Sequence, residues 1–95
     1  MALIGPGLHP ASARIYRRDI ADFLAWFGRP PEDATSGDVV RYLAERAVSP
    51  SSSDRRLAAL GFYYRAGVSA GAWTTDPTAG LPRARRGAWR PRRQW

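Results

Sequence analysis

The chain contains no cysteine, no lysine and only one histidine, His9. Without cysteine there are no disulfides, no thiolate nucleophile and none of the thiolate-based zinc designs. A lone histidine does not make a protein-only metal cage, so neither a metal nor a cofactor is expected. No glycine-rich loop runs into a lysine, and no carboxylates cluster at metal-ligand spacing. Long apolar runs are missing too. The N-terminal MALIGPGLHP is apolar but short and lacks a basic lead-in. It therefore predicts neither a secretory signal nor a membrane span, and the expected location is the cytoplasm. Strand-like alternation, internal repeats and heptads are also absent.

What remains is 95 residues, 44% of them hydrophobic. That is enough for one domain with a modest core and too apolar for a wholly disordered chain. The net charge of +7 is unevenly placed. Through residue 80, arginine nearly balances aspartate and glutamate. The segment after it carries Arg83, Arg85, Arg86, Arg90, Arg92 and Arg93 with no acid. Every basic residue is arginine. Codon bias in a GC-rich genome accounts for this plainly. The functional alternative is selection for guanidinium geometry against phosphate.

Hydrophobic spacing predicts three helices. The first covers 11–27, where Tyr16, Ile20, Phe23, Leu24 and Phe27 form one apolar stripe. Pro10 suits its first turn, and Gly28 with Pro30 and Pro31 stops it. The second covers 36–47, with Thr35 as N-cap, Asp38 completing a capping box, and Val39, Val40, Leu43 and Ala47 inside. The third covers 50–66, capped by Ser49, with Leu57, Leu60 and Tyr64 inside and Gly67 as its stop. Around Gly71–Thr75 the pattern is ambiguous between loop and turn. Asp76-Pro77 then reads as the start of a short fourth helix reaching Leu81. The expected fold class is all-α: a small four-helix bundle over residues 8–81, with an arginine-rich, disordered tail over 82–95.

Arginines recur on the outward sides of these helices. Opposite the first apolar stripe lie Arg14, Arg17 and Arg18 beside Ala21 and Ala25. Opposite or beside the third lie Ser52, Arg55, Arg56 and Ala59. Small residues beside arginine let a helix approach a phosphate backbone, and the guanidinium fork matches phosphate oxygens. The plain alternative is a pair of solvated faces, with Asp19, Asp22 and Asp54 tempering the positive potential. Trp26, Phe23, Phe27, Phe62, Tyr63 and Tyr64 could stack on bases, but at helical spacing they are expected in the core. Trp89 and Trp95 belong to no predicted core.

The runs LHPASARIYRRDIADFLAWF, PEDATSGDVVRYL, SPSSSDRRLAALGFYYRAG and DPTAGLPRAR together resemble the N-terminal core-binding domain of tyrosine recombinases, the phage-integrase family. The resemblance spans residues 8–86 and rests on four weak patterns in the right order. It implies a SAM-like four-helix bundle that clamps one side of double-stranded DNA with its first and third helices. A linker then crosses to the catalytic domain. Carried onto this chain, Ser12, Arg14 and Arg18 would be first-helix contacts and Ser52, Arg55, Arg56 and Ala59 third-helix contacts. Arg83, Arg85 and Arg86 would start the linker. Two residues depart from the pattern. Ser53 stands where the family usually has a β-branched apolar residue, and Gly61 occupies a position that is often basic.

The same resemblance implies a tyrosine nucleophile assisted by arginines, a lysine and a His-x-x-Arg motif. This chain has no lysine, and His9 is followed three residues on by Ser12. Its tyrosines fall within the helical patterns, with no acid–base partner in view. It is expected to be catalytically inert, to take no small-molecule substrate, and to stop where the catalytic half would begin. Three readings stay open: the first is a DNA-binding module, and the second an interaction module that packs against intact recombinase protomers or another partner. A gene remnant of marginal stability is the third.

Overall fold

The computed structural model describes residues 10–83. Three α-helices make the fold: α1 (Pro10–Phe27), α2 (Ser36–Arg46) and α3 (Pro50–Ala70), with a 3-10 turn at Pro31–Asp33 between the first two. No strand occurs among the described residues. The fold is all-helical as expected, with three helices instead of four.

Local chemistry sets most boundaries. Gly28, at φ +70°, ends α1, and its N–H donates to Leu24 O at 3.0 Å. At the start of α2 the capping box is complete. The Asp38 N–H donates to Thr35 Oγ1 at 3.2 Å and the Thr35 N–H donates to Asp38 Oδ2 at 3.0 Å. Two N-terminal donors that the helix cannot satisfy are thus paired. That backbone hydrogen bond is also what chiefly holds the Asp38 carboxyl below its ordinary 3.8, against the opposing effect of burial. A carboxyl depressed on folding stabilises above its unfolded value, and the benefit is lost as pH falls through the folded one. Thr35→Ala is expected to cost about 1 kcal/mol at neutral pH. Alanine keeps the backbone bond, so only the share owed to the Thr35 hydroxyl, which donates to Asp38 Oδ2 at 3.1 Å, should fade as urea titrations move below pH 3.8.

Helix α3 runs one turn past its predicted end, because Gly67 is not its stop. Gly71, at φ +79°, is. The Gly71 N–H donates to Val68 O at 3.1 Å and the Ala72 N–H to Gly67 O at 2.8 Å, the paired bonds of a Schellman motif. Gly67 is buried mid-helix beneath the indole of Trp73, whose Nε1–H donates to Tyr64 O at 2.9 Å.

The predicted fourth helix is a pair of turns. Asp76 Oδ1 accepts from the Thr78 N–H at 2.8 Å and from its hydroxyl at 2.6 Å. The Ala79 and Leu81 amides then close back only three residues, onto Asp76 O and Thr78 O. Gly80, at φ +79°, turns the chain out of the helical path before a four-residue bond can form. The segment is docked all the same: Pro77 and Thr78 are buried, and Ser36 Oγ donates to Pro77 O at 2.9 Å.

Helix α3 is the central element. Its buried residues Ser53, Asp54, Leu57, Ala59, Leu60, Gly61, Tyr64 and Gly67 lie around much of its circumference. α1 runs antiparallel along it, with Asp19 meeting Arg55 and Tyr16 meeting Phe62. Phe23 is fully buried where the three helices converge, edge-on to Tyr42 with centroids 5.0 Å apart and to Tyr64 at 6.5 Å. Burying a side chain of this size contributes roughly 1.5–3 kcal/mol. Tyr42, also fully buried, was not among the residues predicted inside α2. Val40, which was, is half exposed at 52%. About 100° per residue separates it from Val39, enough to carry it off the inner face. Most helical aromatics belong to the core or its edge, as expected.

Candidate functional site

The arginines of the described residues divide by whether a carboxylate reaches them. On α3, Arg55 forks onto Asp19 of α1, with Nε at 2.9 Å from Oδ2 and Nη2 at 3.1 Å from Oδ1. Arg56 donates from Nη1 to Asp22 Oδ2 at 3.0 Å and to the Tyr42 hydroxyl at 2.6 Å. It also lies 3.9 Å from Asp19. The Tyr42 hydroxyl donates in turn to Asp22 Oδ2 at 2.8 Å, and Arg46 of α2 approaches Asp22 at 3.6 Å. All three helices are therefore joined by one ionic network. Asp19 is its most buried charged member, its side chain 4% exposed against 42% for Arg55 and 18% for Arg56.

Electrostatics follow from that geometry. Hydrogen bonding to Asp19 pushes the Arg55 guanidinium above its already high ordinary value. Burial, reinforced by the hydrogen bond to Asp22, raises the Tyr42 phenol well above its ordinary 10.0, and burial does the same for Tyr64. A phenol raised on folding contributes stability that is complete below pH 10 and is lost as pH climbs beyond it.

Elsewhere Arg29 and Arg41 both serve Asp38, at 3.6 and 2.7 Å. Arg14 and Arg18 are exposed on α1 and Arg17 is half-buried there; none forms an ion pair among the described residues. Arg65 lies over the Phe62 ring, 5.9 Å from its centroid, and Arg83 is exposed after the final turn.

The residues singled out by sequence thus separate. Arg14 and Arg18 lie on the side of α1 away from the core, and Arg17 is half-buried at the flank of that side. Ser12 and Ser52 are half-buried, and the Ser52 N–H is taken by the Ser49 cap at 3.1 Å. Ala59 is a correction: it is completely buried within the core cluster, so it offers no surface to a duplex. Spacing alone placed it outside because it lies opposite the Leu57–Leu60–Tyr64 stripe. A helix packed on several sides also buries that opposite face. Arg85 and Arg86 lie outside the described residues, as do Trp89 and Trp95. Sequence reasoning missed Tyr42 and the ionic role of Asp19 and Asp22. It also passed over Arg65, the only arginine between Arg56 and Arg83.

No helix of the described residues is long and apolar enough to cross a membrane. Nor do three or more His, Cys, Asp or Glu residues gather there as a metal site.

The family model for the phage integrase N-terminal SAM-like domain matches residues 2–71, most of the chain, and the protein belongs to that family. The matched model describes the N-terminal domain and not a catalytic one. Comparison with curated proteins and with solved structures gives no match.

Proposed function

We propose that the chain is a double-stranded-DNA-binding module of the recombinase type, working as the core-binding half of a tyrosine recombinase and without catalytic chemistry of its own. The observation that carries this reading is the division among the arginines. Those of α2 and α3 that reach the inter-helix network are held by carboxylates. Arg14, Arg17 and Arg18 stand together on α1 with no acid engaging them among the described residues. A row of uncompensated guanidinium groups on a rigid helix is what phosphate contacts need. Membership of an integrase-domain family supports the same partner. In this reading residues 8–81 form the bundle. Arg83, Arg85 and Arg86 begin a basic segment that adds affinity without reading sequence.

Neutralising about five phosphates predicts a log–log salt slope near −4.5. Fluorescence anisotropy with a short duplex across a salt series measures it. Replacing Arg14, Arg17 and Arg18 together by Gln is expected to flatten the slope by about 3 if each meets a phosphate, with the melting temperature unchanged. Removing residues 82–95 should flatten it separately. Salt-insensitive binding, or none, would sink the proposal. In that case a stoichiometric complex with a recombinase protomer would be the result to look for.

A further inference from the structure

Between α1, α3 and the C-terminal turns lies an open cleft of ≈ 260 Å³, lined by Tyr16, Gly61, Phe62, Arg65, Leu81 and Arg83 among others. We infer that this cleft seats a phosphodiester of the DNA backbone between Arg65 and Arg83; the inference rests on the DNA-binding reading and adds a contact to it.

Four observations converge on a phosphate. Two guanidinium groups from separate elements line the cleft, and no carboxylate is among its lining residues. Neither arginine is ion-paired among the described residues. Second, the Arg65 guanidinium carbon stands 5.9 Å from the Phe62 ring centroid, so what it lies against is an aromatic ring and not an acid. Third, Gly61 has no side chain, and Arg65 occupies that space: a Cβ there would stand 2.8 Å from Arg65 Nη1. The absent side chain is thus part of how Arg65 lies in the cleft. Last, apart from Thr78 the other side chains lining the cleft are apolar or aromatic. Tyr16 and Phe62 contact each other with centroids 5.5 Å apart, a surface suited to the sugar that flanks a phosphate. Asp76, the acid just beyond this wall, has Oδ1 engaged by the Thr78 amide and hydroxyl. Tyr16 immediately precedes Arg17, so the cleft borders the α1 segment that carries the unpaired arginines.

The test uses the full chain in two arms. In the first, anisotropy across a salt series compares wild type with Arg65→Gln, Arg83→Gln and Arg65→Lys on two duplexes of unrelated sequence. Each Gln variant is expected to lower the salt slope by about 1, equally on both duplexes, with Arg65→Lys retaining it. In the second, inorganic phosphate is titrated while NMR follows the arginine side-chain N–H signals. If wild type binds duplex and neither Gln variant changes the slope, the cleft assignment is overturned while the DNA reading stands. If wild type binds no duplex, the DNA reading fails and the second arm decides. Shifts at Arg65 and Arg83 that vanish in the variants would keep the cleft as an anion seat; no shift would overturn it.

Discussion

Replacing Arg55 and Arg56 together by alanine is expected to destabilise the bundle by about 3–5 kcal/mol. The sequence alone recommends that double variant as a test of DNA contact; the structure makes it a test of folding. Asp19 is the reason. Its side chain is 4% exposed, and Arg55 and Arg56 are the cations that reach it. Removing both leaves a buried carboxylate without a counter-charge, the costly half of breaking any buried pair. The reverse deletion is milder. Asp19→Ala frees Arg55, whose side chain is already 42% exposed and can turn into water, while Arg56 keeps Asp22 and the Tyr42 hydroxyl. About 1–2 kcal/mol is expected there, because the pair's outer member is well screened. The triple variant, with Asp19, Arg55 and Arg56 all alanine, should recover part of the loss, since an apolar gap is less costly than a stranded charge. Urea midpoints of the single, double and triple variants give the ordering. A double variant as stable as wild type would show that Asp19 finds other support. For a domain whose whole stability is of the order of 5–15 kcal/mol, the double loss reaches the folded population itself. Weakened DNA binding by that variant would accordingly say nothing about phosphate contacts.

What sequence could and could not disclose follows one physical line. Signals that act within a few residues were legible. Thr35 with Asp38 gave the start of α2, and Gly28 with the following prolines gave the end of α1. The Leu57–Leu60–Tyr64 spacing gave the inner face of α3. Signals that depend on what another element brings were not. Asp19 and Asp22 looked like charges that temper a basic face; only the antiparallel packing of α1 on α3 sets them beneath Arg55 and Arg56. Ala59 looked outward because the periodic stripe pointed the other way, yet it is fully buried. Of the candidate contacts, the α1 arginines stay without an ion pair among the described residues, whereas Arg55 and Arg56 are held by Asp19 and Asp22. Arg65 was overlooked for a related reason. Its value depends on the missing side chain of Gly61 and on Arg83, which arrives from a distant turn. The fourth helix failed on a nearer detail. Asp76-Pro77 is a sound helix start, but Gly80 follows too soon for any helix to propagate.

The glycines of α3 invite a sharper comparison. By intrinsic propensity, Gly→Ala inside a helix gains about 1 kcal/mol. At Gly61 that gain is expected to survive, because the atom in the way is the end of the flexible Arg65 side chain, which can swing aside. At Gly67 the sign is expected to reverse, with Gly67→Ala costing about 2–4 kcal/mol. A Cβ at Gly67 would fall 2.1 Å from two carbons of the Trp73 indole and 2.6 Å from its Nε1. Trp73 has no small adjustment available. It packs tilted against Tyr63 and Tyr64, with centroids 5.3 and 5.2 Å away, and its Nε1–H is fixed on Tyr64 O at 2.9 Å. Displacing the ring loses that hydrogen bond and uncovers Tyr64, which is 1% exposed and donates its hydroxyl to Pro31 O at 2.7 Å. The damage would therefore spread from the end of α3 to the 3-10 turn between α1 and α2. Thermal melts of the two alanine variants read the difference directly. Gly61→Ala should melt at or above the wild-type temperature and Gly67→Ala well below it, with Trp73 fluorescence shifted to the red in the folded state. A Gly67→Ala variant that melts at or above the wild-type temperature, as Gly61→Ala does, would mean that Trp73 is not seated on Gly67.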